Sequence, residues 1–164
     1  MTHPFDFLAL DNGARFIFTP CPGTKATSVL DAVTTLQQAG ADSIITLMAD
    51  EELSRNDAQQ LPTVCNDLSI DWFQLPIKDD CEPEADFATA FEQYKAELLN
   101  QIDTKKTIAI HCRGGSGRTG LMAAILMLES GTSWQQVKAS IQAIRPKALS
   151  LEPHLNYLKT HYSI

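Results

Sequence analysis

The sequence predicts an α/β domain built on a mainly parallel sheet of four to five strands. Two patterns point there. Short β-favouring apolar runs alternate along the chain with helix-length amphipathic segments, and four of the eight glycines crowd into one stretch between a strand-like run and a helix-like run. The length agrees: 164 residues can bury a full core without staples. No repeat, low-complexity tract or linker interrupts the chain, so residues 1–164 read as one domain.

Arg15–Thr19 reads as the first strand, closed by Pro20 and Pro22. Lys25–Ala39 follows as a helix with Val29, Val33 and Leu36 on one stripe and Gly40 as its stop. Ser43–Leu47 is a buried-type strand, a short helix begins at Pro62, and Asp71–Ile77 is the third strand. Pro83 suits the first turn of a long helix in which Phe87, Phe91, Tyr94, Leu98 and Ile102 form a core-facing stripe. Thr107–His111 is the fourth strand. Arg118–Ser130 is a helix apolar nearly all round, hence central and buried, and Gly131 stops it. Ser133 and Gln136 form a capping-box pattern for a helix carrying Trp134, Val137, Ile141 and Ile144. A last helix spans Leu151–His161. Ligands of such sheets bind beyond the carboxyl ends of the strands, which directs attention to the turn after His111.

Composition narrows the function. Thirteen Lys and Arg against 20 Asp and Glu leave −7, which argues against a broad nucleic-acid or anionic-membrane surface. Yet no acid occurs from Thr104 to Leu128, where Lys105, Lys106, Arg113 and Arg118 add four positive charges, so the remainder carries −11. One small positive pocket fits that distribution. Cys21, Cys65, Cys81 and Cys112 are too few and too irregular for a disulfide framework, and without a CxxC pair no structural zinc site is expected. The first eleven residues lack the basic start of a secretory signal, and the longest apolar run, Leu121–Leu128, is far too short for a membrane span. A cytoplasmic protein with reduced thiols, no stable membrane association and a monomeric state is the expectation.

The segment reads His111-Cys112-Arg113-Gly114-Gly115-Ser116-Gly117-Arg118-Thr119-Gly120. Glycines let successive N–H groups converge on an anion, and the following helix adds positive partial charge at its start. Three chemistries compete for it. Gly115, Gly117 and Gly120 satisfy GxGxxG, but Val137–Ser140 supply no acid where a dinucleotide site needs one for the ribose. A nucleotide-binding GxxxxGK[ST] loop would have Cys112 in place of its first glycine and Arg118 in place of its lysine. The third uses what is there: a cysteine ringed by N–H donors beside an arginine is held as a nucleophilic thiolate, and Arg118 offers a planar fork to two phosphate oxygens.

HCRGGSGRTG resembles the Cys-x5-Arg signature of the protein tyrosine and dual-specificity phosphatases. Phe18–Gly23, Leu75–Asp79, and Ala148–Leu149 through Asn156–Leu158 look like the kinase-associated phosphatase branch in order and spacing. The resemblance implies the cysteine-phosphatase fold: three layers, α/β/α, with the four strands ordered 1-4-2-3. It implies phosphomonoester hydrolysis without cofactor or metal. Cys112 attacks phosphorus to give a phosphocysteine. Arg113, Gly114, Gly115, Ser116 and Gly117 line the phosphate with main-chain N–H groups, and Arg118 clamps it. Thr119 donates to the Cys112 sulfur, its alternative being an ordinary early-helix hydroxyl. His111 orders the loop, its alternative being a satisfied core histidine.

The branch's Pro-Ile-x-Asp pattern places the general acid at Asp79, with Asp80 adjacent as the other candidate. Where the branch has a glutamine that positions water, this chain has His154; the alternative there is a surface helix residue. Cys81 lies two residues past Asp79 and is a candidate for a protective disulfide with Cys112. The implied partner is a phosphorylated protein, on tyrosine and also serine or threonine, since no tyrosine-recognition segment is visible. Arg113 leaves open a phosphoinositide or small-molecule phosphate. A weak phospho-binding regulatory domain is a third reading, one that needs neither nucleophile nor acid.

Overall fold

The computed structural model describes residues 2–164. Five strands form one sheet: β1 (Asp6–Ala9), β2 (Arg15–Thr19), β3 (Ser43–Thr46), β4 (Asp71–Gln74) and β5 (Thr107–His111). Seven helices accompany them: α1 (Val29–Gln38), α2 (Asp50–Arg55), α3 (Leu61–Asp67), α4 (Ala85–Asp103), α5 (Gly117–Glu129), α6 (Trp134–Ile144) and α7 (Glu152–His161). The spatial order is β1-β2-β5-β3-β4, parallel except for β1, which runs antiparallel to β2. Without β1, this is the 1-4-2-3 order that the resemblance implied.

Alternation along the strands divides the core in two. Phe16, Phe18, Ile45, Ile108 and Ile110 pack on one face with α4, α5, α6 and α7, while Ile17, Ile44 and Ala109 pack on the other with Val29, Val33, Leu36, Leu61 and Cys65. Both faces of the sheet are thus covered, as a parallel sheet requires. Helix α5 is buried without a break from Arg118 to Met127, which its all-round apolar sequence predicted. Gly120 explains how close it comes to its neighbours: a Cβ there would lie 2.7 Å from that of Ala148.

Several boundaries differ from the sequence reading. The first helix begins at Val29, not Lys25, because Ser28 caps it by accepting from the Asp31 N–H, while Ala26 takes a left-handed φ of 59°. Pro83 stands two residues ahead of α4 rather than in its first turn. Strand β4 ends at Gln74, since Pro76 has no N–H to continue the ladder; even so, Leu75 and Ile77 donate to the carbonyls of Thr46 and Leu47, so the chain stays alongside the Ser43–Leu47 segment up to Ile77. Two elements were not foreseen, β1 and α2. The Ser133 cap holds, its hydroxyl accepting from the Gln136 N–H at 3.3 Å.

Candidate active site

Strand β5 delivers His111 and Cys112 to the carboxyl edge of the sheet, and the chain turns through Arg113–Ser116 into α5. Gly115 makes the turn possible: its φ is +81°, and a Cβ would sit 2.6–2.7 Å from the backbone of Thr19 and Pro20. Gly114 meets nothing within 4 Å. The loop carbonyls are tied down by donors from around the site. Cys112 O faces His111 Nδ1 at 3.0 Å, Arg113 O accepts from Cys21 N at 3.0 Å, Gly115 O from Arg145 Nε at 2.9 Å, and Ser116 O from Gly120 N at 2.8 Å. With these four oxygens committed, the loop can turn N–H groups toward an anion.

The Cys112 sulfur is buried and accepts two hydrogen bonds, from Gly115 N at 3.3 Å and from Thr119 Oγ1 at 3.2 Å. Two donors converging on one sulfur suit a negatively charged atom. Below it, His111 is fully buried, and burial pulls its pKa down to about 4 against the favourable Cys112 carbonyl. The neutral ring must therefore carry its proton on Nδ1 to meet that carbonyl, so Nε2 accepts from Thr46 Oγ1 at 2.7 Å, and the same Thr46 oxygen accepts from Trp72 Nε1 at 2.8 Å. His111 thus orients the carbonyl of the residue that bears the thiol.

Arg118 is 2% exposed. Its Nη1 and Nη2 donate to the two oxygens of Glu52 at 2.7 and 2.8 Å, and Nη1 also donates to the Ile77 carbonyl at 3.0 Å. Burial opposes the charge, but Glu52 prevails and holds the guanidinium above its ordinary pKa. A guanidinium has five N–H groups. Three are committed here, and the two that remain, on Nε and Nη2, lie along one edge. That edge is the fork that can take two oxygens of a tetrahedral anion. Asp79 Oδ1 lies 3.5 Å from Nε, outside hydrogen-bonding geometry, on a side chain 68% exposed.

The structure separates the two candidate acids. Asp79 faces Arg118, whereas Asp80, at φ 60°, is the foremost charge acting on His154. His154 is not a surface residue: it is 1% exposed, because α7 packs its first turn against the start of α5, where a Cβ on Gly117 would lie 3.9 Å from the ring. Burial lowers its pKa, and neither ring nitrogen has a hydrogen-bond partner, the Cys81 backbone approaching without bonding geometry. Cys81 is half-buried in the turn that its N–H closes on Lys78 O. Cys21 also belongs to this end of the sheet; burial, with the charges of Glu52 and Cys112, pushes its thiol up to about 12. Arg113 is exposed, its Nε donating to Asn56 Oδ1 at 3.1 Å.

Sequence reasoning missed Glu52 and Arg145. Glu52 carries a faint signal, the run Asp50-Glu51-Glu52 at the start of a short segment that ends in Arg55, which matches a helix dipole. Arg145 carries none. It reaches the loop from the end of α6, stacked 5.8 Å over Phe18 and paired with Asp6 at 2.8 Å.

The family described as "PTP-SAK: Swiss Army Knife protein, DSP-PTPase phosphatase domain" matches residues 22–159. The chain belongs to this phosphatase family. A curated relative, a probable protein tyrosine phosphatase type IVA B of Dictyostelium discoideum, is 29% identical over 89 residues, and the match spans about half of either chain (54% of each). Among solved structures, kinase-associated phosphatase with a serine in place of its catalytic-site cysteine shares the fold at a TM-score of 0.83 and 23% identity, covering 96% of this chain and 93% of that one. PTPMT1 in complex with PI(5)P shares it at 0.67 and 14% identity, covering 94% and 92%. The Cys112 loop stands at the carboxyl end of β5, a central parallel strand, where ligands of open α/β sheets bind. Among the described residues no helix is long and apolar enough to cross a membrane, and no cluster of three or more His, Cys, Asp or Glu side chains is arranged to hold a metal ion.

Proposed function

We propose that this domain hydrolyses phosphomonoesters on proteins through a phosphocysteine intermediate. The observation that carries the reading is the open two-donor edge of Arg118 beside the doubly hydrogen-bonded sulfur of Cys112. A phosphate seated against the loop N–H groups and that edge presents phosphorus to the sulfur. Cys112 Sγ bonds to phosphorus as the ester P–O bond breaks, and Asp79 gives its proton to the departing oxygen. Arg118 and the loop N–H groups stabilise the charge on the three equatorial oxygens. Water then attacks phosphorus, Asp79 takes its proton, and the S–P bond breaks to release phosphate; Thr119 supports the departing thiolate. His154, buried with two unsatisfied nitrogens, is the group that holds that water.

Phosphotyrosine, with phosphoserine and phosphothreonine, is the substrate class. The net charge of −7 favours a protein over an anionic lipid surface. Cys112→Ser tests the reading. It should abolish turnover of an aryl phosphate while tungstate still binds, and pull-down with the same variant should enrich phosphoproteins. Retained turnover refutes the mechanism. Phosphoenzyme accumulation in His154→Ala, read by a burst of product, tests the water-holding role.

A further inference from the structure

No step of the proposed mechanism uses the segment ahead of β1, yet that segment reaches the carboxyl edge of the sheet. His3 is 1% exposed there, and Phe5 packs against the core on the face of Ile17. Burial lowers the His3 pKa despite the Pro20 carbonyl, and Lys25 adds to the effect, so the ring is neutral and carries one proton. Its Nε2 lies 2.6 Å from Thr19 Oγ1. That hydroxyl donates to the Pro4 carbonyl at 2.9 Å, with the Pro20 carbonyl farther off at 3.4 Å. The one hydroxyl proton is thereby used, so Nε2 is the donor to Thr19. Nδ1 is then the bare nitrogen, which agrees with its having no partner among the described residues.

Thr19 ends β2, is fully buried, and has its hydroxyl gripped by two consecutive residues. Three contacts carry its position toward the phosphate loop. In the sheet register Thr19 stands opposite His111 of β5. Its carbonyl and the Pro20 nitrogen form the wall against Gly115, where a Cβ would lie 2.6–2.7 Å away. Two residues on, Cys21 N donates to the Arg113 carbonyl at 3.0 Å. Gly115 N in turn donates to Cys112 Sγ at 3.3 Å. From Thr19 to the sulfur the path therefore runs through close-packed and hydrogen-bonded backbone, which has little room to give. A proton on His3 would also oppose one on His111, a sign of how near the two rings stand.

We infer that His3 is a positioning residue for the phosphate loop: by holding Thr19 it keeps the Gly115 N–H on the sulfur of Cys112. Its effect on turnover rests on the phosphatase reading, whereas its effect on the thiol rests on the hydrogen bonds of the sulfur alone. Without the ring, Thr19 Oγ1 loses its donor and a cavity replaces the imidazole. Thr19 and Pro20 then gain room to move. A longer Gly115 N to Sγ distance weakens the support of the thiolate and the N–H cradle for phosphate together.

The test uses the full chain carrying His3→Ala, His3→Gln or Thr19→Val, each checked for folding by circular dichroism. Alkylation of Cys112 by iodoacetamide at pH 6 and pH 9, followed by mass analysis of its peptide, reports the thiolate. In His3→Ala the ratio of the pH 6 rate to the pH 9 rate should fall about fivefold, the scale of one weakened hydrogen bond to a charged atom. Turnover of an aryl phosphate should fall about tenfold in kcat. His3→Gln, which can place an amide N–H where Nε2 stood, should restore most of both. Thr19→Val should match His3→Ala, and the double variant should be no worse than either single one. An alkylation ratio within twofold of the unaltered chain, even with a lower melting temperature, overturns the positioning role. So does additivity of the two substitutions. If His3→Ala does not fold, Thr19→Val decides by the same ratio. An unaltered chain that turns over no aryl phosphate counts against the phosphatase reading, and the alkylation ratio still decides the role of His3.

Discussion

The loop from Cys112 to Arg118 and the segment from Lys78 to Pro83 meet at Arg118, yet they are held in opposite ways. The loop is fastened by Cys21 just past β2, by α2 through Glu52, by Arg145 beyond α6 and by the His111 pair beneath it. The segment has one backbone turn, Cys81 N to Lys78 O, and an exposed Lys78–Glu84 pair, and its Asp79 side chain is mostly in solvent. Groups that must meet a fixed charge distribution gain from a rigid frame, whereas a proton donor must let substrate in and product out. In the proposed mechanism, the nucleophile Cys112 and the clamp Arg118 stand on the first kind of support and the acid Asp79 on the second.

Four measurements test that contrast. Arg118→Lys removes the open edge and the Glu52 fork together, and kcat on an aryl phosphate should fall about 10³-fold. Acid should loosen the rigid side first. His111 is held at about 4 in the folded chain and returns to about 6.5 on unfolding, so the unfolded chain binds the extra proton between those values. Stability is therefore full above pH 6.5 and is lost as pH falls toward 4, by about 3 kcal/mol, or roughly a hundredfold in the folding equilibrium. Burial lowers His3 and His154 as well, with the same sign. Urea titrations at pH 7 and pH 4.5 read the slope; a flat profile would mean that the histidines accept protons in the folded state.

The movable side comes next. Asp79→Asn should lower kcat by about 10²-fold on alkyl phosphates and less on activated aryl esters, while Asp80→Asn should leave both nearly unchanged. The reverse pattern would transfer the acid role to Asp80. The smallest effect is expected from Arg145→Ala, which frees the Gly115 carbonyl without touching the sulfur or Arg118. About a tenfold loss in kcat/KM, with little change in melting temperature, would mark it as a positioning residue.

How much was legible in the sequence follows from how far apart the cooperating groups lie. Cys112, its glycines, Arg118 and Thr119 occupy one stretch, so spacing and residue type expose them. Four parallel strands were readable because each holds a short β-favouring apolar or aromatic run with Pro, Gly or charge near its ends. Strand β1 was not: of its four residues only Leu8 is buried, and its place depends on pairing with β2. Glu52 comes from 66 residues away and Arg145 from 30 residues beyond Gly115; the tertiary fold alone makes them partners. His154 could be singled out by register, but its burial depends on how α7 meets α5, which no local pattern encodes.

Three glycines near the thiol set very different terms for change. Gly114 opens onto empty space, Gly115 is locked by backbone on one side and a left-handed φ on the other, and Gly120 admits no methyl group against Ala148. In a saturation library selected for a folded, anion-binding loop, position 114 should accept nearly the whole alphabet while 115 and 120 return glycine. Of these three glycines, only Gly114 leaves room for a side chain, and it adjoins Arg113.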